Sequence, residues 1–411
     1  VSADCVIPTD MTTRFLLNLC LFFPLLAATA QESSPGLTRF QELDANGNGK
    51  LEPSEMEGRS GLFHMMDTDG DQLVTQAEAI AFVKSRNAQK PNAKTEPLVA
   101  TLEIPAEAPV SESSCQAAAD YSANRNGYSL LVSWKGQTIY ERYDNGWSPD
   151  KPYRLASGTK SFSGIMAAAA VQDGLIESFD EPIAGTITEW QDDPRRSKIT
   201  LGQLLSLTSG LDAGKVGGVP SYQEVVKTPA KQEPGTRFSY GPNPYQVFGE
   251  FMRRKLVAQG DYADPLEYLD ARIFQPIGLD YGDQWRRDED GMPHLPSGAF
   301  LTAREWVKFG EFLKRGGEVD GKPLLDPEAL KQCWKANAVN PAYGITFWRL
   351  ARPGRDLPEL LQGTVMASGA GKQRLYILPK ADLVVVRQGE TKGKYGDEAI
   401  LTRLLGLSPE G

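Results

Sequence analysis

From Cys115 to the end of the chain, about 297 residues, apolar positions alternate between two periods. Tyr128-Ser129-Leu130-Leu131-Val132-Ser133-Trp134 and Gln137-Thr138-Ile139-Tyr140-Glu141-Arg142 are β-rich runs around Lys135-Gly136, which predicts a hairpin. Arg374 to Leu378 and Leu383 to Arg387 predict a second strand pair, turned by Pro379-Lys380-Ala381-Asp382, with a helix following over Tyr395 to Leu405. Between these ends, Phe162 to Val171 reads as an apolar helix with Ala167 to Ala170 in a row and Gly174 as its cap. Small residues there suit a helix buried mid-domain. The pattern predicts one antiparallel sheet closed by the two ends of the domain, with helices between.

Upstream the pattern changes, and four regions are expected: a signal peptide at 11–30, an acidic module at 37–86, a linker at 87–113 and the large domain at 114–411. Arg14, the apolar run Phe15 to Leu26 and the A-x-A site Ala28-Thr29-Ala30 are the signal features, with the mature chain starting near Gln31. This predicts a secreted or periplasmic protein with no membrane span after cleavage. An uncleaved anchor is the alternative, but the run is short of the ~20 residues a span needs. Residues 87–113 are rich in Pro, Ala, Glu and Ser and lack either period, as a flexible linker would. Export permits a disulfide between Cys115 and Cys333, and two separate buried thiols are the alternative.

Hydrophobic residues make up 40% and charged residues 24%, as in ordinary globular proteins. The net charge of -9 argues against nucleic acid as a partner, since phosphate binding needs a basic face.

The acidic module carries two loops with calcium-ligand spacing. In the first, Asp44, Asn46 and Asn48 supply side-chain oxygens, Gly49 the sharp turn, Lys50 its carbonyl, and Glu55 a bidentate carboxylate. In the second, Asp67, Asp69, Asp71, the Leu73 carbonyl and Glu78 take the same places, but Gln72 stands where glycine is expected. A non-glycine residue at positive φ costs roughly 1 kcal/mol, so this site should be the weaker. Leu51 and Val74 should pair as a short bridge coupling the loops. The module reads as an all-α EF-hand pair binding Ca²⁺, and as a possible docking surface for a protein partner.

In the large domain, Ser157-Gly158-Thr159-Lys160 opens the central helix. One helical turn puts Ser157 and Lys160 on one face, and the helix N-terminus favours an alkoxide on the serine. Lysine is a poor base at its free pKa near 10.4, so Lys160 must be desolvated to activate Ser157. The chain has two histidines, His64 and His294, which leaves a Ser–His–Asp triad little to build on. Tyr240, in a Gly/Pro-rich loop before a helix, could relay the proton. Ala367-Ser368-Gly369-Ala370-Gly371 lets a backbone approach an acyl group, and the Ser157 and Ala370 N–H groups would form an oxyanion hole.

With Ile199-Thr200-Leu201-Gly202-Gln203-Leu204-Leu205-Ser206-Leu207-Thr208-Ser209-Gly210-Leu211 and Pro296-Ser297-Gly298-Ala299-Phe300-Leu301-Thr302-Ala303-Arg304-Glu305, residues 120–407 resemble the class C β-lactamase and D,D-peptidase-related serine hydrolases. The resemblance implies a β-lactamase/transpeptidase-like fold, an α+β sandwich of an antiparallel sheet flanked by helices plus a helical subdomain, and an acyl-enzyme on Ser157, with Lys160 and Tyr240 sharing general-base work. It also places Asn243, Ser368 and Gly369 against the substrate. Two departures stand out. Pro242 takes the Asn place of the Tyr-x-Asn motif, with Asn243 one position late, and Ala367 takes the place of the third motif's cation. Both argue against efficient β-lactam hydrolysis and leave attack on an ester, a simple amide or a peptide. The alternatives are a non-catalytic ligand- or cell-wall-binding protein on the same fold and a true β-lactamase.

Overall fold

The computed structural model describes residues 40–56, 63, 65–88 and 97–407. The signal segment and His64 lie outside the described residues. The chain divides into two compact units between Asn87 and Ala88.

In the first unit, strands β1 (Lys50–Leu51) and β2 (Val74–Thr75) pair antiparallel with Leu51 opposite Val74, as the loop spacing predicts. Helix α1 (Gln76–Ala88) follows β2 directly. Phe40, Leu51, Met56, Phe63, Met66, Val74 and Ala79 form a small core beneath the loops.

The second unit is built on a seven-stranded antiparallel sheet. In chain order its elements are β3 (Leu98–Thr101), α2 (Glu112–Ala123), β4 (Gly127–Trp134), β5 (Gln137–Tyr143), α3 (Lys160–Gln172), α4 (Asn243–Gln259), α5 (Ala303–Lys314), β6 (Trp348–Arg349), β7 (Val365–Gly369), β8 (Gln373–Leu378), β9 (Leu383–Gly389) and α6 (Asp397–Leu404). The strand order is β6-β7-β8-β9-β4-β5-β3, so the last long strand pairs with the first hairpin and the two ends of the domain close the sheet. Side chains alternate across it. Leu130, Val132 and Tyr376 join a layer with Ile400, Leu401 and Leu404 of α6. Leu131, Leu375 and Val384 face the other way, into the larger core with Trp306 and Phe309 of α5 and most of α3. At this inner face a side chain at Gly310 would put its Cβ 2.5 Å from Val384 Cγ1, so α5 must lie close on the sheet.

Two expectations need correcting. Residues 98–101, read as linker, form β3 and pair with β5 from Leu98↔Tyr143 to Thr101↔Tyr140. Leu98 and Val99 stay exposed, so the backbone ladder holds this edge strand and the side-chain pattern carries no trace of it. The large domain's first helix starts at Glu112, two residues before 114, where Ser111 caps it by accepting from the Ser114 N–H. Cys115 and Cys333 are free and buried, not bridged. Burial pushes both thiols up to about 12, so they behave as apolar packing groups. Among the described residues, no helix is long and apolar enough to cross a membrane.

Candidate active site

Ser157 lies in a one-turn 3₁₀ segment, Ala156–Thr159, between the short strand Tyr153–Arg154 and α3. The turn is fixed from several sides. Leu155 N–H donates to Ala299 O at 2.9 Å, Gly158 N–H to Leu155 O at 3.0 Å, and Ala299 N–H to Thr159 Oγ1 at 3.2 Å. Ala156 sits at φ +48°, a left-handed conformation that costs an alanine roughly 1 kcal/mol. The turn leaves Ser157 half-buried at the mouth of the helix.

Lys160, the first residue of α3, is 4% exposed. Its Nζ donates to Ser157 Oγ at 3.2 Å and to Pro296 O at 2.9 Å. Burial is the cause that lowers its pKa to about 7. The helix supplies that burial, because α3 is enclosed from Lys160 through Ala170. Gly164 is required there: a Cβ would sit 2.4 Å from Thr346 Oγ1. An amine with this pKa is about half neutral at neutral pH, which a general base beside a serine needs.

Tyr240 stands in the loop before α4. Ser239 N–H donates to Leu207 O at 2.9 Å, and a Cβ on Gly241 would lie 2.0 Å from Ala213 O, so the loop is clamped against residues 207–213. Its ring packs with Trp348 at 5.7 Å, Phe238 at 6.4 Å and Tyr343 at 6.5 Å between centroids. Lys160 Nζ is 5.1 Å from the Tyr240 ring centre and 5.3 Å from that of Tyr245. Burial raises the Tyr240 pKa, and the neighbouring polar groups of Ser157 and Trp348 and the Arg374 charge offset part of that rise. Lys160 Nζ thus bonds Ser157 Oγ and lies over the ring of Tyr240.

Strand β7 closes the other side of the serine. A Cβ on Gly369 would fall 2.0 Å from Leu155 O and 3.0 Å from Gly158 N, so only glycine lets the strand lie this close to the turn. Ala370, the next residue, is exposed where β7 ends. The remaining expected contacts are different. Asn243 Nδ2 donates to Asp212 O at 3.0 Å, so this amide holds the 212–214 loop and is not turned to Ser157. Ser368 pairs with Arg374 across the strands, and side-chain alternation puts it on the face opposite Gly369. Sequence reasoning missed the Pro296 carbonyl as a Lys160 acceptor, although the Pro296–Glu305 stretch was already conspicuous. It also missed Trp348, which stands in a two-residue strand with no periodic signal.

The Beta-lactamase family profile matches residues 107–407. The chain belongs to the beta-lactamase family. An uncharacterised protein of Alkalihalophilus pseudofirmus is 27% identical over 293 residues, covering 62% of this chain and 82% of the relative. Monacolin J acid methylbutanoyltransferase of Aspergillus terreus is 31% identical over 160 residues, covering 32% of this chain and 37% of the transferase. Among solved structures, EstCE1, a hydrolase with promiscuous acyltransferase activity, superposes with a TM-score of 0.56 at 15% identity, over 71% of this chain and 95% of its own. Beta-lactamase-family proteins of this fold are serine hydrolases, and their neighbours here include esterase/acyltransferase and peptidase types. Within the family pattern, Ala367 is 1% exposed and packed in the inner core, so no cation stands at that position.

The first unit holds a second candidate site. Gly49 lies at φ +79° and Gln72, in the equivalent place, at φ +64°. Asp44 Oδ2 accepts from Gly49 N–H at 2.9 Å and Asp67 Oδ2 from Gln72 N–H at 3.2 Å, so both loops wrap around their first aspartate alike. One carboxylate oxygen each of Asp67, Asp69 and Asp71 lies within 4.8 Å of the others. Glu55 accepts from the Asn46 and Glu52 N–H groups, and Glu78 from those of Thr68 and Thr75. The Thr75 and then the Thr68 N–H hold the half-buried Glu78 carboxyl down at about 2, so it is ionised at neutral pH. The donor set is all oxygen and converging, which fits a hard divalent cation such as Ca²⁺.

Proposed function

We propose that this protein is an exported serine hydrolase that cleaves an ester or simple amide through an acyl-enzyme on Ser157. The observation that carries the reading is a buried lysine amine 3.2 Å from a serine hydroxyl, with burial holding its pKa near 7. Neutral Lys160 takes the Ser157 proton, directly or through Tyr240, as Oγ attacks the carbonyl carbon. The Ser157 and Ala370 N–H groups receive the oxyanion. The C–O or C–N bond to the leaving group then breaks, the leaving atom takes the proton, and water releases the acyl group by the same steps in reverse. Ala367 leaves no charge to hold a substrate carboxylate, so β-lactams should be poor substrates. The transferase and hydrolase names among the relatives support including an alcohol acceptor in the assay.

A panel of nitrophenyl acetate, alkyl esters, amides and β-lactams, with a serine-reactive phosphonate, tests this reading. Ester turnover is expected, with the phosphonate found on the peptide carrying Ser157. A label on another residue, or an unlabelled and inert protein, would defeat it.

The first unit is proposed to bind two calcium ions, through Asp44, Asn46, Asn48, Lys50 and Glu55 and through Asp67, Asp69, Asp71, Leu73 and Glu78. Calcium should raise the unit's melting temperature, since ligand at 100 times Kd stabilises by about 2.7 kcal/mol. Calorimetric titration should resolve a tighter and a weaker site. Gln72→Gly should tighten the weaker by up to about fivefold, if relief of roughly 1 kcal/mol of strain is realised on binding. Equal affinities in the wild type would count against Gln72 as the cause.

A further inference from the structure

We infer that Phe238 and Trp348 form the subsite for the alcohol side of the ester, and that this side is an uncharged alkyl or aryl group. The inference rests on the acyl-transfer reading above and names a substrate class for that same site.

The subsite is a shelf of rings built from two distant segments. Trp348 stands in the edge strand β6, opposite Met366 of β7, and Phe238 lies two residues before Tyr240 in the loop leading to α4. Their ring centroids are 6.2 Å apart. Each also packs on Tyr240, Trp348 at 5.7 Å and Phe238 at 6.4 Å. Tyr343, 1% exposed, meets Trp348 edge-on at 4.8 Å and Phe238 at 5.4 Å. Tyr343 is held in turn by a 2.8 Å hydroxyl contact with the buried Tyr245. Phe238, Tyr240 and Trp348 are only partly covered, so a fixed aromatic surface is left open. A surface already ordered costs a ligand little to use.

Chemistry decides which part of the substrate lies there. The oxyanion of the tetrahedral intermediate is directed to the Ser157 and Ala370 N–H groups. The leaving oxygen must take a proton from Lys160 or Tyr240. These two stand together, with Lys160 Nζ 3.2 Å from Ser157 Oγ and 5.1 Å from the Tyr240 ring centre. When the C–O bond breaks, its electron pair stays on that oxygen and the proton makes it an alcohol. The carbon chain on the leaving oxygen therefore continues past Tyr240, onto Trp348 and Phe238. Arg374, whose charge acts on Tyr240, is 6% exposed and bound to Asp397 at 2.5 Å, so it is not offered to a ligand. The Arg349 guanidinium donates to Pro341 O at 2.9 Å. An alkyl or aryl group gains from covering these rings, whereas a carboxylate would lose its water against them.

The test compares two ester series in wild type and Trp348→Ala: acetates of methanol, propanol and butanol, and methyl esters of acetic, butanoic and pentanoic acid. A fully buried methylene is worth about fourfold and a half-covered one about twofold, so wild-type kcat/KM should rise about eightfold from methyl to butyl acetate. Trp348→Ala should bring that ratio below about threefold, while the ratio along the acid series stays within about twofold of wild type. Ratios that fall equally in both series, or in neither, would overturn the assignment and leave Trp348 as packing. If the variant does not fold, the wild type decides. With nitrophenyl acetate as acyl donor, butanol should be acylated about eightfold more readily than methanol at equal concentration, because an alcohol that leaves over the shelf also returns over it. Equal yields, or no transfer, would overturn the assignment. So would a preference for an alcohol carrying a carboxylate, which would point instead to the exposed Arg237 beside Phe238. A wild type inert to every ester would overturn the hydrolase reading, and the assignment with it.

Discussion

Replacing Lys160 with alanine is expected to lower kcat/KM on a nitrophenyl ester by about 10³-fold while leaving KM near its wild-type value. On the proposed mechanism the amine is the base held at the serine oxygen. Lys160→Arg should be equally inactive, because a guanidinium does not give up its proton at any working pH. The wild type should show activity rising with pH through about 7, since neutral lysine is the competent form and burial holds the pKa there. Rates from pH 5 to 9 check this. A profile flat across that window, or an active Lys160→Arg, would remove Lys160 from the mechanism.

The same shift has a consequence for stability, and the sign follows from proton counting. The folded chain loses the Lys160 proton near pH 7, whereas the unfolded chain keeps it until about 10.4. Between those values the unfolded state binds more protons, so this group's contribution to stability rises with pH. Below pH 7 the buried amine is charged in both states and its desolvation opposes folding in full. Lys160→Met, apolar and of similar length, should therefore melt a few degrees higher at neutral pH while being inactive. That outcome would show an ionisable group kept at a cost to the fold.

Much of this arrangement was legible in the sequence, for a physical reason. The hairpin Gly127–Tyr143, the paired strands after Gln373 and the alanine-rich α3 each bury a face, and burial writes a period into the chain. Ser157 and Lys160 are local to one turn, so their spacing alone brought them together. Features set by distant contacts left no such mark. Leu98 and Val99 of β3 are exposed, and the strand is recognised by its ladder with β5. The positive φ of Ala156 follows from the segments that clamp the turn, not from alanine's own preference. Asn243 looked placed for substrate by its nearness to Tyr240, yet the start of α4 turns its amide to Asp212. Ser368 looked equivalent to Gly369, but a strand's period of two separates neighbours onto opposite faces. Trp348 reaches Tyr240 only because β6 is laid on the edge of β7.

Gly369→Val is the substitution expected to break the site without touching any of its side chains. The backbone of Gly369 is not in the left-handed region, so valine meets no torsional penalty and any effect is steric. Its Cβ would be placed 2.0 Å from Leu155 O and 3.0 Å from Gly158 N, both backbone atoms that cannot swing away. Strand β7 must then move off the Ser157 turn and carry the Ala370 N–H with it. Loss of one oxyanion donor costs about 10²–10³-fold in kcat, and forcing the strand outward costs roughly 1–3 kcal/mol of stability. The two effects are separable. Phosphonylation of Ser157 should slow in step with kcat, because it too develops charge on an oxygen in that hole, whereas the acidic limb near pH 7 should stay where Lys160 puts it. A valine variant that keeps full kcat would mean that Ala370 does not hold the oxyanion. A shift of the acidic limb would mean that β7 also shapes the burial of Lys160.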